Sequence, residues 1–509
     1  MPIKNGKNRS QIKMMCLDDH VAKDSYVRVL DAFVDCLDLQ SLGFKKRKAH
    51  RGRPSYNRKA LLKLYFYGYR YGVRSSRSLE RLCCINIEVQ WLMGELKPKY
   101  HTIADFRKDN KIAFKNVFRQ LNLMMKAKGL FDNSELVAID SAFIRGQNSK
   151  KRNFTKKKIA FLIDYFDKQY MRYTAALDQG DAEEKQEARE WANYTEQTKE
   201  YYQELQQYME KENLLQISET DPETRLMAEN DKKLNVGYRV QIAVEDQHHL
   251  VTHFETDNKQ DRQKGAEIAI AAKENMGKEE LDALLDKGYH KGAELQEMED
   301  NEITPYVSPP DLRYRKNRSG IDPAYDRSHF IYKADTDHYT CPEGHILKTS
   351  GKEYKKADRL VKEYRNVKAC VRCPVKDKCT ARDQGRVISR YDSEAAIERN
   401  RERIALNKNY YRQRSIIVEH VFGTVKRYWD MSYTLLKGKA GADAEYSLAY
   451  TNYNLLRLIK ILKKDQLNSL FKAFLTTFSK FTQSGATQCL ILINYNFRIL
   501  TSKSFEYAR

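Results

Sequence analysis

The chain has 509 residues, and its 91 lysines and arginines against 69 aspartates and glutamates give a formal net charge of +22. With 41% apolar residues, 33 tyrosines and 20 phenylalanines it can bury cores, which excludes wholesale disorder. No run of about 18 apolar residues occurs, which excludes a helical membrane span. Nine cysteines with one dense cluster do not make a disulfide framework. About two to four domains are expected at this length. The start carries basic residues but no apolar stretch, so the expectation is a cytoplasmic protein. A cation excess of this size attracts polyanions, nucleic acids first among them.

From Leu17 to Leu42 apolar residues recur at three- and four-residue steps, which predicts an amphipathic helix packed on a core. A basic run follows. Lys45, Lys46, Arg47, Lys48, Arg51, Arg53, Arg58 and Lys59 carry no interleaved acid, and this points to phosphate contacts. Residues 57 to 94 read as helix, turn, helix, helix, with a break at Gly72. Leu79 and Leu82 face inward in this reading, and Arg74, Arg77 and Arg81 face out, a helix-turn-helix-like arrangement. Any small helical bundle shows the same spacing, so the pattern alone leaves both readings open.

The texture changes at Glu135. Residues 136 to 144 form an apolar strand with Asp140 in its middle, and an ionised carboxylate in a buried strand needs a partner or a metal. Six cations in 150–158 precede a charged helical hairpin over 156–213. Alternating strands follow at 236–244 and 250–256, joined as a hairpin. A helix from Gln263 to Met276 leads to an apolar strand ending at Asp286, then a helix at 292–299 and a strand at 303–307. The pattern is mixed α/β.

Cys341, Cys370, Cys373 and Cys379 have the spacing Cys-x28-Cys-x2-Cys-x5-Cys. Four thiolates suit a tetrahedral structural Zn²⁺, and four reduced thiols are the bland alternative. Residues 412–429 predict a helix with Val418, Phe422 and Val425 on a buried stripe, Glu419 at its edge and Lys426 two turns further along the same face. Two strand-borne carboxylates and a third on a helix can hold two divalent ions for an in-line phosphoryl displacement. Oxygen-only ligands favour Mg²⁺ or Mn²⁺.

Lys-Gly-Tyr after Asp286, Val-Glu-His-x-Phe-Gly-x-x-Lys around Glu419 and Gly-Tyr-x-Val-Gln-Ile-Ala-Val in the hairpin resemble the DDE-type transposases of bacterial insertion sequences. Gly52-Arg-Pro, Arg74-Ser-Ser-Arg-Ser-Leu-Glu and Thr-Ile-Ala-Asp-Phe-Arg107 resemble the amino-terminal domain of the same group. The resemblance implies an RNase H-like catalytic core with Asp140, Asp286 and Glu419 as a metal-binding triad for two Mg²⁺ or Mn²⁺ ions. It also implies recognition of terminal inverted repeats, DNA strand cleavage and transfer to target DNA, and a homodimer or higher assembly at the nucleoid. The related signature has a Tyr and an Arg upstream of the Glu and a Lys seven residues after it. Lys426 fits, whereas Arg412 and Ser415 stand at the upstream positions.

The expected architecture is an α/β protein with an RNase H-like mixed-sheet core. A helical DNA-binding domain spans 1–130, and the first catalytic part spans 131–310, interrupted by the hairpin. A cysteine-bearing insertion at 311–395 precedes catalytic helices at 396–462, and the tail 463–509 carries no assignable pattern. Lys45, Lys46, Arg47, Lys48, Arg51, Arg53, Arg74, Arg77 and Lys426 are the expected DNA contacts. Two rival readings are a non-catalytic repressor descended from such an enzyme and a zinc-organised structural or RNA-binding protein. Neither gives the three acids a use.

Overall fold

The computed structural model describes residues 14, 16–45, 54–177, 181–230, 233–258, 264–310, 321–356, 359–463, 465–467 and 469–472. Lys46, Arg47, Lys48, Arg51, Arg53 and most of the tail lie outside them.

The first expected helix is shorter than its pattern suggests. Leu17–His20 form a single 3₁₀ turn, and the Ser25 hydroxyl accepts from the Val27 amide to start α1 (Tyr26–Asp35) afresh. Leu37, Leu39, Leu42 and Phe44 reach the core from turns instead. The Asn57 side chain caps α2 (Arg58–Arg70), which is buried at every position from Ala60 to Tyr69. Then come α3 (Ser76–Ile85), α4 (Ile87–Met93), α5 (Tyr100–Asp109) and α6 (Lys111–Ala127). Gly68 lets α2 approach α3: a Cβ there would lie 2.4 Å from both Leu79 Cδ2 and the Val73 carbonyl oxygen.

The helix Lys439–Ile461 is the spine of the molecule. It is buried at every position from Ala444 to Leu455, and α2 and α6 pack on one side of it and the main sheet on another. Two of its asparagines are paired across these contacts. Asn452 donates to the Phe66 carbonyl (2.9 Å), while Asn454 donates to the Val251 carbonyl and accepts from the Val251 amide, each at 2.9 Å. One hydrophobic core runs from Val21 to Phe471 as a result.

The strands of the first half are β1 (Leu136–Arg145), β2 (Asn153–Thr155), β3 (Gln216–Ser218), β4 (Arg225–Asn230), β5 (Lys233–Glu245), β6 (Val251–Asp257), β7 (Leu281–Leu285) and β8 (Ile303–Val307). Six form the main sheet, in the order β4-β5-β1-β7-β8 with β6 also paired to β5. Neighbours β1 and β5 are antiparallel, as are β5 and β6, whereas β1, β7 and β8 run parallel. The runs Leu136–Ile139 and Ala283–Leu285 are fully apolar because helices cover both faces. Between β1 and β4 the chain makes the hairpin α7 (Lys156–Ala176) and α8 (Ala182–Lys211), which joins β2 and β3 around its own small core of Phe154, Ile159, Met209 and Ile217.

After β7 and β8, flanked by α9 (Gly265–Met276) and α10 (Gly292–Asp300), residues 331–391 form a second sheet that the sequence pattern did not disclose. It is antiparallel, in the order β13-β12-β11-β10-β9, from β9 (Ile331–Lys333), β10 (His338–Thr340), β11 (Ile346–Lys356), β12 (Arg359–Arg365) and β13 (Val387–Tyr391). Helices Glu394–Leu406 and Lys408–Phe422 return the chain to the main sheet, and Gly423–Tyr428 form a π-helical turn. Among the described residues no helix is long and apolar enough to cross a membrane.

Candidate active site

Registry and pleat set the geometry. Ile139 of β1 stands beside Leu285 of β7, so Asp140 and Asp286 are the next pair along two parallel strands. Alternation puts both carboxylates on one face of the sheet. The opposite face belongs to α9, where Gly265 packs against Leu285 and Tyr289. Asp286 begins the 3₁₀ turn Lys287–Tyr289 with extended backbone, and both acids stay half-buried on interior strands of the sheet or just past their ends.

The helix Lys408–Phe422 lies over that face. Its Arg414 guanidinium pairs with Asp140 Oδ2 at 2.8 Å, while the Ser141 amide donates to Asp140 Oδ1 at 2.7 Å. Burial pushes the Asp140 carboxyl above the usual carboxylate range against the pull of Arg414, and the nearby Asp286 charge pushes the same way. Tyr411 donates to the Leu285 carbonyl at 3.0 Å, one residue before Asp286, and Tyr410 donates to Asp282 at 2.6 Å. This helix is therefore pinned to β1 and β7 by three polar side chains as well as by buried Ile417, Val418 and Val421. On the other face of β1, beside Ser141, sits a basic lobe. Arg239 donates to the Ser141 hydroxyl at 3.1 Å, and Lys426, half-buried and lowered in pKa by burial, feels the charges of Glu229, Arg239 and Arg427.

Glu419 is exposed on the same helix, between buried Val418 and Val421. Among the described residues no three acidic, imidazole or thiol side chains converge to metal-ligand spacing. The structure thus brings together Asp140 and Asp286 and adds Arg414 and Tyr411, which sequence reasoning missed. A signal was present: Tyr411 and Arg414 keep the three-residue step of the related signature, one residue upstream of Arg412 and Ser415.

Arg74 corrects one expected DNA contact. It is buried, pairs with Glu445 at 3.3 Å and donates to the Tyr433 and Asp430 carbonyls, which turns it into the interior and away from phosphate. The helical period pointed it outward, but the spine helix lies on that side. Arg77 is exposed over the Tyr100 ring, and Lys45 is exposed at the end of the described basic run. The four cysteines at 341, 370, 373 and 379 line one small pocket beside the second sheet.

Residues 15–109 match the model of a transposase domain family (DUF772), and residues 340–459 match that of the Transposase DDE domain. Both matches support an insertion-sequence DDE transposase. The chain is accordingly a DNA-cleaving and strand-transferring enzyme. The second match covers the transposase's second sheet from β10 onward, the helix with Arg414 and Glu419, and most of the spine helix, while Asp140 and Asp286 fall outside both matches. No curated protein and no solved structure matches the transposase.

Proposed function

We propose that this transposase binds the terminal inverted repeats of its own element, cleaves DNA at the element boundary and joins the freed ends to target DNA, with Asp140, Asp286 and Glu419 as its catalytic triad. One observation carries the reading: one carboxylate within β1 and another one residue past the end of the parallel β7, beneath the helix that bears Glu419. The strand order, with an antiparallel β6-β5-β1 half and a parallel β1-β7-β8 half, supports an RNase H-like core. The division proposed with it is a helical DNA-binding part over 1–130, a catalytic part over 131–310 and 396–462, and an insertion over 311–395. The complex acts as a homodimer or higher assembly on DNA in the cytoplasm, at the nucleoid.

Two half-buried carboxylates and an exposed third fit hard divalent cations, Mg²⁺ or Mn²⁺, which bind through few carboxylates and complete their shell with water and phosphate oxygens. Two such ions, when bound, would activate the attacking water or 3′-hydroxyl and stabilise the leaving oxygen. The chain's own residues do the rest. Asp140 and Asp286 supply fixed oxygens from a rigid sheet, and Glu419 extends the set from the helix above. Arg414 neutralises Asp140 in the free protein and would be free to meet a DNA phosphate if that carboxylate held a cation. Arg239 and Lys426 hold the strand beside Ser141, with Arg77 and the basic run from Lys45 to Arg53 gripping DNA further out.

The test is nicking of labelled DNA that carries the ends of the encoding element, with and without Mg²⁺. Metal-dependent nicking at the boundary, lost in Asp286→Ala while end binding persists, is the expected result. Cleavage preserved in Asp286→Ala overturns the triad. End binding without nicking by the unmutated chain would mark a repressor instead.

A further inference from the structure

The second sheet is too small to be held by its own core. Its hydrophobic cluster is Phe330, Tyr339, Leu347, Tyr364 and Ile388, with Cys341 and Cys379 packed against them and Val361 also buried. Much of β11 is exposed. Units of this size fold on disulfides, a metal or a partner surface, and all four cysteines here are unoxidised.

Two turns bring these thiols together from segments separated by β11 and β12. In the first, Gly344 at φ +80° closes a turn by donating to the Cys341 carbonyl at 2.9 Å, and the His345 amide donates to Cys341 Sγ at 3.3 Å. In the second, the short helices Val367–Val371 and Lys376–Cys379 carry Cys370 and Cys379 with Cys373 between them. The Cys373 amide donates to the Cys370 carbonyl at 3.3 Å, and the Lys376 amide to the Cys373 carbonyl at 3.2 Å. Gly385, at φ +91°, permits the close approach, since a Cβ there would lie 2.2 Å from Cys370 Cβ. The four cysteines, not yet at metal-ligand spacing, line a pocket of about 30 Å³, room for a single small occupant, walled also by Phe330, Pro342, Leu347 and Val375. Arg386, which donates to the Cys379 carbonyl, and Lys376 supply positive charge at its rim.

We propose that this pocket is a structural zinc site, with Cys341, Cys370, Cys373 and Cys379 as its four ligands. Four sulfur donors select a soft tetrahedral ion over the Mg²⁺ or Mn²⁺ of the carboxylate site. Binding draws the lining sulfurs inward to about 2.3 Å from the ion. His345, exposed, is not a ligand. The site closes the open end of the sheet whose last strand, β13, passes through Arg390 and its two-pronged pair with Glu398 (2.6 and 2.9 Å) into the helix Glu394–Leu406. The proposal is independent of the carboxylate triad.

Elemental analysis of the full-length protein, purified from zinc-supplemented medium without chelator, should find about one zinc per chain. Cys370→Ser with Cys373→Ser should lose it. Cobalt titrated into the zinc-stripped unmutated chain should give sulfur-to-cobalt charge-transfer bands and tetrahedral visible bands, a readout that needs no variant to fold. Absence of zinc together with absence of those bands overturns the site. So does a Cys370–Cys373 disulfide in the freshly isolated protein, or full zinc content in the double variant.

Discussion

Asp140 and His253 show how burial shifts charge in opposite functional directions. Asp140 gains Arg414 as a partner on the central strand of the sheet, so the carboxylate is held but not sealed, with 27% of its side chain exposed. In the proposed mechanism Arg414 balances that charge until cation and DNA arrive. Arg414→Met should therefore lower DNA cleavage by roughly 10²-fold, the scale of losing one positioned charge-stabilising donor, with end binding changed far less. Equal loss of binding and cleavage would assign Arg414 to DNA grip alone. His253 has no such role. It is kept neutral by burial, with Lys115 adding to the effect, and its pKa falls to about 4. The Asn275 amide stands 3.4 Å from its Nδ1, suited to a neutral ring that accepts. A folded pKa below the unfolded value of 6.5 contributes stability that is present above pH 6.5 and is lost as pH falls towards 4. At pH 5 that loss is about 2 kcal/mol. Denaturant titrations of His253→Gln should show a correspondingly flatter decline between pH 6.5 and 5 than the unmutated chain.

At the scale of elements, α2 and α3 are set by one close approach. Gly68→Ala would drive a methyl group into Leu79 and the Val73 carbonyl. It should cost about 1–3 kcal/mol, the usual penalty for overpacking a filled interface, visible as a lower melting temperature. α3 buries Leu79 and Cys83 and leaves Arg77 and Arg81 exposed. If that face meets DNA phosphates, Arg77→Ala should weaken end binding and reduce the slope of log affinity against log salt by about one. An unchanged slope would remove α3 from the DNA contact. The helix Lys408–Phe422 was anticipated as one long element, yet it gives way to a π-helical turn at Gly423, which carries Lys426 back beside Arg239. Such turns re-aim side chains without ending a helix.

In the molecule as a whole, the spine helix couples the amino-terminal helices to the sheet. Glu445 is fully buried within it, accepts from the Leu435 and Leu436 amides, and pairs with Arg74 of the N-terminal bundle. Arg107 backs this junction by donating to the Tyr69 hydroxyl and the Arg74 carbonyl. Cutting the pair by Glu445→Ala leaves a buried guanidinium without its carboxylate and should destabilise the fold by about 3–5 kcal/mol. Because one core joins the two parts, helix and sheet probes should lose stability together in denaturant. The second sheet, outside that core, should melt separately. Loss confined to the amino-terminal helices would show that the spine does not transmit stability.

Much of this was legible in the sequence. Apolar run length and alternation disclosed β1, β5, β6, β7 and β8, because each is a short strand bounded by polar turns, and helical period disclosed α2 to α4 and the α7–α8 hairpin. The acids Asp140 and Asp286 stood out since a charge inside an apolar strand demands a reason. Local pattern failed where long-range contact decides. β9–β13 have too few apolar residues to show a period. Arg74 looked solvent-facing because nothing nearby in sequence announces a helix arriving from residue 439. Arg414 and Tyr411 were hidden among the basic and aromatic residues of a surface-like segment. Composition and local periodicity, which reflect solvation and backbone geometry, determined the elements, the nucleic-acid character and two of the acids. Strand register and the packing of the spine helix, which depend on residues hundreds of positions apart, decided which side chains meet and which charges are buried.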